Sequence, residues 1–204
     1  MENINKDPAM SGSGLPRIEN DFYPTIDKEI TRSLCAFLLH NEILDDQSTI
    51  WECAAGDLAM VNVLSEYFKS TILATDIVVR SEGVEQHDFL KGEPYHSDAI
   101  ITNPPYGKTL EDFINKGLEL ILTGNTFLLA LLARNEYDCA SSRRILFNNP
   151  LFAHKIVLTW RPRWFKEGDS SPRHNYAWYI WTAEYNKSAT IHYMDKINGK
   201  SKAQ

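Results

Sequence analysis

Between residues 26 and 44 the apolar side chains fall at Ile26, Ile30, Leu34, Phe37, Leu38 and Leu44. The steps of four, four and three residues from Ile26 to Phe37 predict a helix with one buried stripe. The period then changes. TIWECA, from Thr49, is a short β-rich run that closes on the loop Ala-Ala-Gly-Asp. LAMVNVLSEYF returns to helical spacing, with Leu58, Val61, Leu64 and Phe68 on one stripe. STILATDI, VEQHDF and DAIITN read as three further strands, and LEDFINKGLELIL as a helix closed by Gly124. NTFLLALLA is wholly apolar, as a central strand covered on both faces must be. SSRRILFNNP predicts a short helix stopped by Pro150. HKIVLTW and NYAWYIWTAEY are aromatic and β-branched, and predict two last strands.

Strands alternating with helices imply an α/β, Rossmann-like fold: a mostly parallel seven-stranded sheet with helices on both faces. No helix separates the final two strands, so they are expected to form an antiparallel C-terminal β-hairpin at the sheet's edge. Residues 1–20 and 196–204 are polar and aperiodic, which predicts flexible tails around one domain over 21–195.

Composition changes this picture little. The 204 residues are 43% hydrophobic and 24% charged, ordinary usage for a globular domain. No run is long enough to span a membrane, and the N-terminus lacks a signal-like apolar segment, so the expected location is cytoplasmic. Cys35, Cys53 and Cys139 show no Cys-x-x-Cys spacing, and the histidines form no ligand pair. Buried free thiols are expected, and no metal.

Charge changes it more. The chain carries −6, yet Arg143, Arg144, Lys155, Arg161, Arg163, Lys166 and Arg173 crowd one stretch against only Glu167 and Asp169. One basic region on an acidic body is an electrostatic footprint for an anionic partner.

In an open α/β sheet, ligands bind at the carboxyl ends of the strands. Glu52 ends the first predicted strand, followed by the small residues Ala54, Ala55 and Gly56, which let backbone approach a ligand. Neither GxGxxG nor a Walker A motif is present. Asp76 ends the second, where a carboxylate suits the two hydroxyls of a ribose. Asp88 follows the third and can accept from an exocyclic amine, with Ile77 or Phe89 against a flat ring. Three acids at successive strand ends outline a pocket for a nucleoside with a cationic substituent. S-adenosylmethionine fits that description; NAD does not.

The fourth predicted strand leads into Asn103-Pro104-Pro105-Tyr106. Proline fixes φ and removes a donor, so this is a stiff loop. The Asn103 side-chain oxygen and the Pro104 carbonyl, held side by side, can accept both hydrogens of one –NH₂ group, while Tyr106 offers a stacking face. Holding a nitrogen in line with a methyl sulfonium supplies most of the rate such a reaction needs, since orientation is worth on the order of 7–11 kcal/mol. Neither a metal nor a strong base is required.

With these residues in view, the chain resembles the S-adenosylmethionine-dependent methyltransferases that carry an NPPY motif, chiefly the DNA adenine N6-methyltransferases. The matching segments are FYPT (Phe22 to Thr25), ECAAGD, TDI, HDF and NPPY, spread over most of the chain. The resemblance implies that Tyr23, Pro24 and Thr25 border the cofactor, that Glu52 faces its amino end, and that Ala54 and Gly56 line its loop. It implies that Asp76 holds the ribose, that Asp88, Ile77 and Phe89 hold the adenine, and that Asn103, beside the cofactor, holds the target amine. Tyr106 would stack on a flipped base. The first motif departs from the family pattern at Leu58, where a second glycine is usual.

NPPY also occurs in RNA adenine or guanine methyltransferases and in enzymes that methylate a glutamine amide in release factors. The loop WRPRWFKEGDSSPRHN interleaves cations with aromatic rings, which favours nucleic acid and marks Arg161, Arg163, Trp164, Lys166 and Arg173 as its contacts. DNA is the expected partner, reached by base flipping. Some 180 ordered residues leave no room for a separate recognition domain, so a second chain is a possible partner. A compact phage or bacterial enzyme fits. A cofactor-binding module without catalysis is the reading of another class, and intact Asn103 and Tyr106 argue against it.

Overall fold

The computed structural model describes residues 24–164, 174–185 and 187–197. The tail expected over 1–20, and Tyr23, Lys166 and Arg173, lie outside them. Strands β1 (Ile50–Glu52), β2 (Ile72–Asp76), β3 (Glu85–Gln86), β4 (Ala99–Thr102) and β5 (Leu128–Arg134) are all parallel. They are followed by β6 (Phe152–Leu158), β7 (Tyr176–Thr182) and β8 (Thr190–Met194). The order across the sheet is β3-β2-β1-β4-β5-β7-β6-β8.

The sheet therefore has eight strands, not the expected seven. β7 is antiparallel to both β5 and β6, while β8 runs parallel to β6. The last two predicted strands do pair antiparallel, but not at the edge: β7 lies between β5 and β6, and β8 covers the outer side of β6. β8 escapes the hydrophobic pattern because only His192 and Met194 of its residues are even partly buried.

Helices α1 (Lys28–His40) and α2 (Ala59–Leu64) pack on one face, α3 (Lys108–Leu122) and α4 (Arg144–Phe147) on the other. The period-2 geometry of a strand divides side chains between those layers. Leu128, Ala130 and Leu132 of β5 join the α1 side, and Leu129, Leu131 and Ala133 the α3 side. β7 sorts likewise, with Trp178 against α1 and Trp181 against α4. Their indole N–H groups donate to the carbonyls of Ile30 (3.0 Å) and Leu146 (3.1 Å), so neither tryptophan buries an unmet donor. Gly124, at φ +77°, closes α3 as predicted.

α2 is shorter than its sequence pattern. Its buried residues are Met60, Val63 and Leu64, whereas Leu58 precedes the helix at φ +67°. The thiols divide as well: Cys35 and Cys53 are buried, but Cys139, expected inside, is exposed in the turn after β5. All three are free.

Candidate cofactor and target-amine site

β1 and β4 are neighbours in the sheet, but the chain runs outward from them in opposite directions. This reversal opens a crevice at their carboxyl ends. The cavity there is lined by Pro24, Thr25, Glu52, Ala54, Gly56, Asp76, Ile77, Asp88, Phe89, Asn103 and Pro105. Apart from Tyr23, every residue predicted to border the cofactor lines it.

Glu52, the last residue of β1, is 1% exposed. Its carboxylate accepts from the Ala54 N–H at 3.0 Å. Burial, with the charge of Asp76 adding, pushes its pKa up to about 8; the Thr102 hydroxyl and the Ala54 N–H act against that rise. Among the described residues no lysine or arginine pairs with it. A buried carboxyl without a counter-ion, facing a cavity, is a site prepared for a cationic group.

Asp76 is already engaged. Its carboxylate accepts from the N–H of Gly56 at 2.9 Å, from the N–H of Val78 at 2.9 Å and from Arg80 at 3.2 Å. The first bond ties the loop after β1 to the end of β2, and Gly56 reaches it at φ +53°. Two carboxylate oxygens offer about four acceptor positions, and three are taken, so one stays within reach of a single hydroxyl of a diol. Asp88 turns the chain after β3, accepting from the Leu90 N–H at 3.0 Å. Phe89 is 3% exposed, wedged between Trp51 and Phe113 at 5.2 and 4.8 Å between ring centroids. Ile77, in contrast, is 56% exposed. Phe89 thus forms the floor and Ile77 the rim.

At the other end of the cavity Asn103 leaves β4. Its amide Nδ2 donates to Thr25 Oγ1 at 3.1 Å, and its Oδ1 accepts from the Tyr106 hydroxyl at 2.9 Å. Pro104 is buried and Pro105 half-buried. The Tyr106 ring lies 6.3 Å from that of Tyr176, which meets Trp164 edge-on at 5.0 Å. Burial, with Tyr176 adding, pushes the Tyr106 phenol well above its ordinary value. The loop holds its amide at both ends, through Thr25 and Tyr106.

Arg161 and Arg163 are exposed after β6, and Arg161 Nε donates to Asn175 at 3.2 Å. Trp164 is half-buried against the core. Lys155 pairs with Asp138 at 2.7 Å, and the Arg143 guanidinium covers the Tyr137 ring at 3.9 Å. Among the described residues, no group of three or more His, Cys, Asp or Glu side chains is placed to hold a metal ion, and no helix is long and apolar enough to cross a membrane.

Solved structures share this architecture. A proposed RNA methyltransferase of Pyrococcus horikoshii superposes with a TM-score of 0.63 at 12% identity, over 84% of this chain and 91% of the other. A proposed class I S-adenosylmethionine-dependent methyltransferase of Listeria monocytogenes gives 0.63 at 13%, over 89% and 68%. The chain has the class I methyltransferase fold. The M protein of the type I restriction enzyme EcoKI also matches, with a TM-score of 0.55 at 9% identity; this chain covers 89% of itself but only 49% of that subunit. No family model and no curated protein matches the sequence, so the likeness is one of fold.

Within this methyltransferase fold the cavity is also lined by Arg80, His87 and Thr109, polar residues that strand-end reasoning misses. Arg80 reaches back four residues to Asp76, a separation a helix would signal but this loop does not. His87 lines the cavity one residue before Asp88, with its ring 5.7 Å from Trp51 and 5.0 Å from Tyr95; only its place beside an acid hinted at it.

Proposed function

We propose that the chain transfers a methyl group from S-adenosylmethionine to an exocyclic amine of nucleic acid, N6 of adenine in DNA being the first choice. One observation carries the reading. Asn103 and Pro105 of the Asn-Pro-Pro-Tyr loop line one cavity, at the switch point of the sheet, with the buried Glu52, which no lysine or arginine among the described residues pairs with. The neighbours that share the fold include proteins described as an RNA methyltransferase and as the methyltransferase subunit of a type I restriction-modification system, which supports the same class.

The residues fit the cofactor. Glu52 would pair with its ammonium group, Asp76 would accept from one ribose hydroxyl, and Asp88 from the adenine amine, between Ile77 and Phe89. Bound there, S-adenosylmethionine supplies a methyl group on a cationic sulfur that leaves as a neutral thioether. Asn103 Oδ1 and the Pro104 carbonyl would accept the two hydrogens of the target amine and point its lone pair at the methyl carbon. Having gained the methyl group, the nitrogen would carry a positive charge and would lose one of its own two protons to water. Thr25 and the Tyr106 hydroxyl steady Asn103, and the Tyr106 ring offers the target base its stacking face.

A second reading is methylation of an RNA base, the class named for the Pyrococcus horikoshii neighbour. The chain covers 91% of the Pyrococcus protein, but about half of the EcoKI subunit. Incubation with labelled methyl donor and separate pools of duplex DNA, single-stranded DNA, RNA and protein tests both. Label in DNA adenine is expected; label in RNA alone selects the second reading, and label in protein alone removes both. Asn103→Ala should reduce transfer to background while cofactor affinity changes less than about tenfold, a difference of 1.4 kcal/mol. Loss of binding together with transfer would take Asn103 out of the amine-holding role.

A further inference from the structure

The strand that ends the sheet takes no part in the site. β8 reads Thr-Ile-His-Tyr-Met, with no proline, no charged residue and a regular register on β6. Edge strands expose unpaired N–H and C=O groups that template another strand, and soluble proteins usually blunt them with such residues or with bulges. One face of β8 is accounted for. His192 packs on Phe37 of α1 with 4.6 Å between ring centroids, and Thr190 Oγ1 lies 2.7 Å from His154 Nδ1 and 2.8 Å from His192 Nε2. On the opposite face, Ile191 and Tyr193 are 60% and 71% exposed.

We propose that β8 is a homodimer interface, in which the β8 strands of two copies pair antiparallel about a two-fold axis and join the two sheets into one. Charge favours a second copy as the occupant. Five uncharged residues set no like charges opposite one another. Antiparallel pairing also carries exposed Lys187, three residues before each strand, toward exposed Asp195, one residue past the end of the other; parallel pairing would set Asp195 beside Asp195. Lys196 does not oppose this, since its Nζ is turned toward Asp27 at 3.2 Å. Ile191 and Tyr193 lie on one face, so pairing brings aliphatic and aromatic side chains together across the axis. The carboxyl ends of the two sheets then point in opposite directions, and each copy meets its own target. The inference stands apart from the methyl-transfer reading, because no β8 residue lines the cavity.

Sedimentation equilibrium on the full chain tests it, together with hydrogen exchange at two protein concentrations. A dimer is expected, with β8 amides protected more strongly as concentration rises. Ile191→Lys, which sets like charges across the axis at an exposed position, should raise the dissociation constant by about tenfold or more without changing the far-ultraviolet circular dichroism. A monomer at every soluble concentration overturns the proposal. So does protection of β8 that ignores concentration, which would mean that another part of the same chain covers the edge. A dimer indifferent to Ile191→Lys would place the interface elsewhere and overturn it too.

Discussion

Glu52 carries a titration at the scale of one side chain. Its folded pKa of about 8 lies above the ordinary value of 4.5, so the ligand-free protein favours the protonated acid. A raised carboxyl contributes its stability in full below the unfolded pKa and loses it as pH climbs through the folded one. The thermal midpoint of the ligand-free protein should therefore fall as pH rises from about 4.5 to about 8, and Glu52→Gln should flatten that slope. An unchanged slope in the variant would move the titration to another group. A bound cation would instead hold Glu52 ionised, so binding would release a proton and cofactor affinity should increase with pH up to the same limit. Leu58 answers a different question, the missing glycine of the first motif. It occupies the left-handed conformation a glycine adopts freely, at a cost of about 1–2 kcal/mol for an L residue. Its side chain packs with Ala55, Ala74 and Val84 in a small cluster, which offsets that cost. Leu58→Ala loses the packing and keeps the strain, so urea unfolding should show a loss of about 1–2 kcal/mol. Leu58→Gly should lose roughly 1 kcal/mol less. An alanine variant more stable than the glycine variant would disprove the strain.

At the scale of elements, the sequence makes the strand ends legible because apolar runs stop abruptly at Glu52, Asp76 and Asn103. What it hides are contacts set by loops. The bond from Gly56 N–H to Asp76 and the closure of Tyr106 on Asn103 depend on φ and on side-chain direction, neither of which has a period. β8 is hidden for another reason: an edge strand with one solvated face alternates too weakly over five residues to register. The turn after β3 shows how much such a loop controls. A Cβ on Gly92 would lie 2.3 Å from Cε1 of His87 and 2.9 Å from the backbone oxygen of Asp88, and the backbone oxygen cannot simply rotate away. Gly92→Ala should therefore displace His87 and Asp88 together and weaken S-adenosylmethionine by about tenfold, as measured by calorimetry, with a smaller effect on stability. Wild-type affinity in this variant would separate the turn from the adenine end of the cavity.

For the molecule as a whole, the decisive pattern is where charge lies. The sequence shows a basic stretch on an acidic chain; the structure discounts part of it, because Lys155 is paired with Asp138 and Arg143 is folded over Tyr137. That discount could not be read from sequence, since both partners come from the turn after β5, well outside the basic loop. Arg161 and Arg163 remain exposed beyond the end of β6, on the carboxyl side of the sheet where Tyr106 meets Tyr176. A polyanion docking there releases counterions, so its affinity must fall steeply with salt, by a slope of about 0.9 per phosphate contact on duplex DNA. The cofactor, enclosed among buried groups, should respond weakly. Arg161→Ala with Arg163→Ala should then weaken DNA of any sequence and lower the magnitude of the salt slope by about 2, while S-adenosylmethionine affinity stays constant. Titrations at several salt concentrations read all three quantities in one series. If the double variant keeps the wild-type slope, the nucleic acid approaches over another face, and the path to Asn103 must be sought on the side of α3.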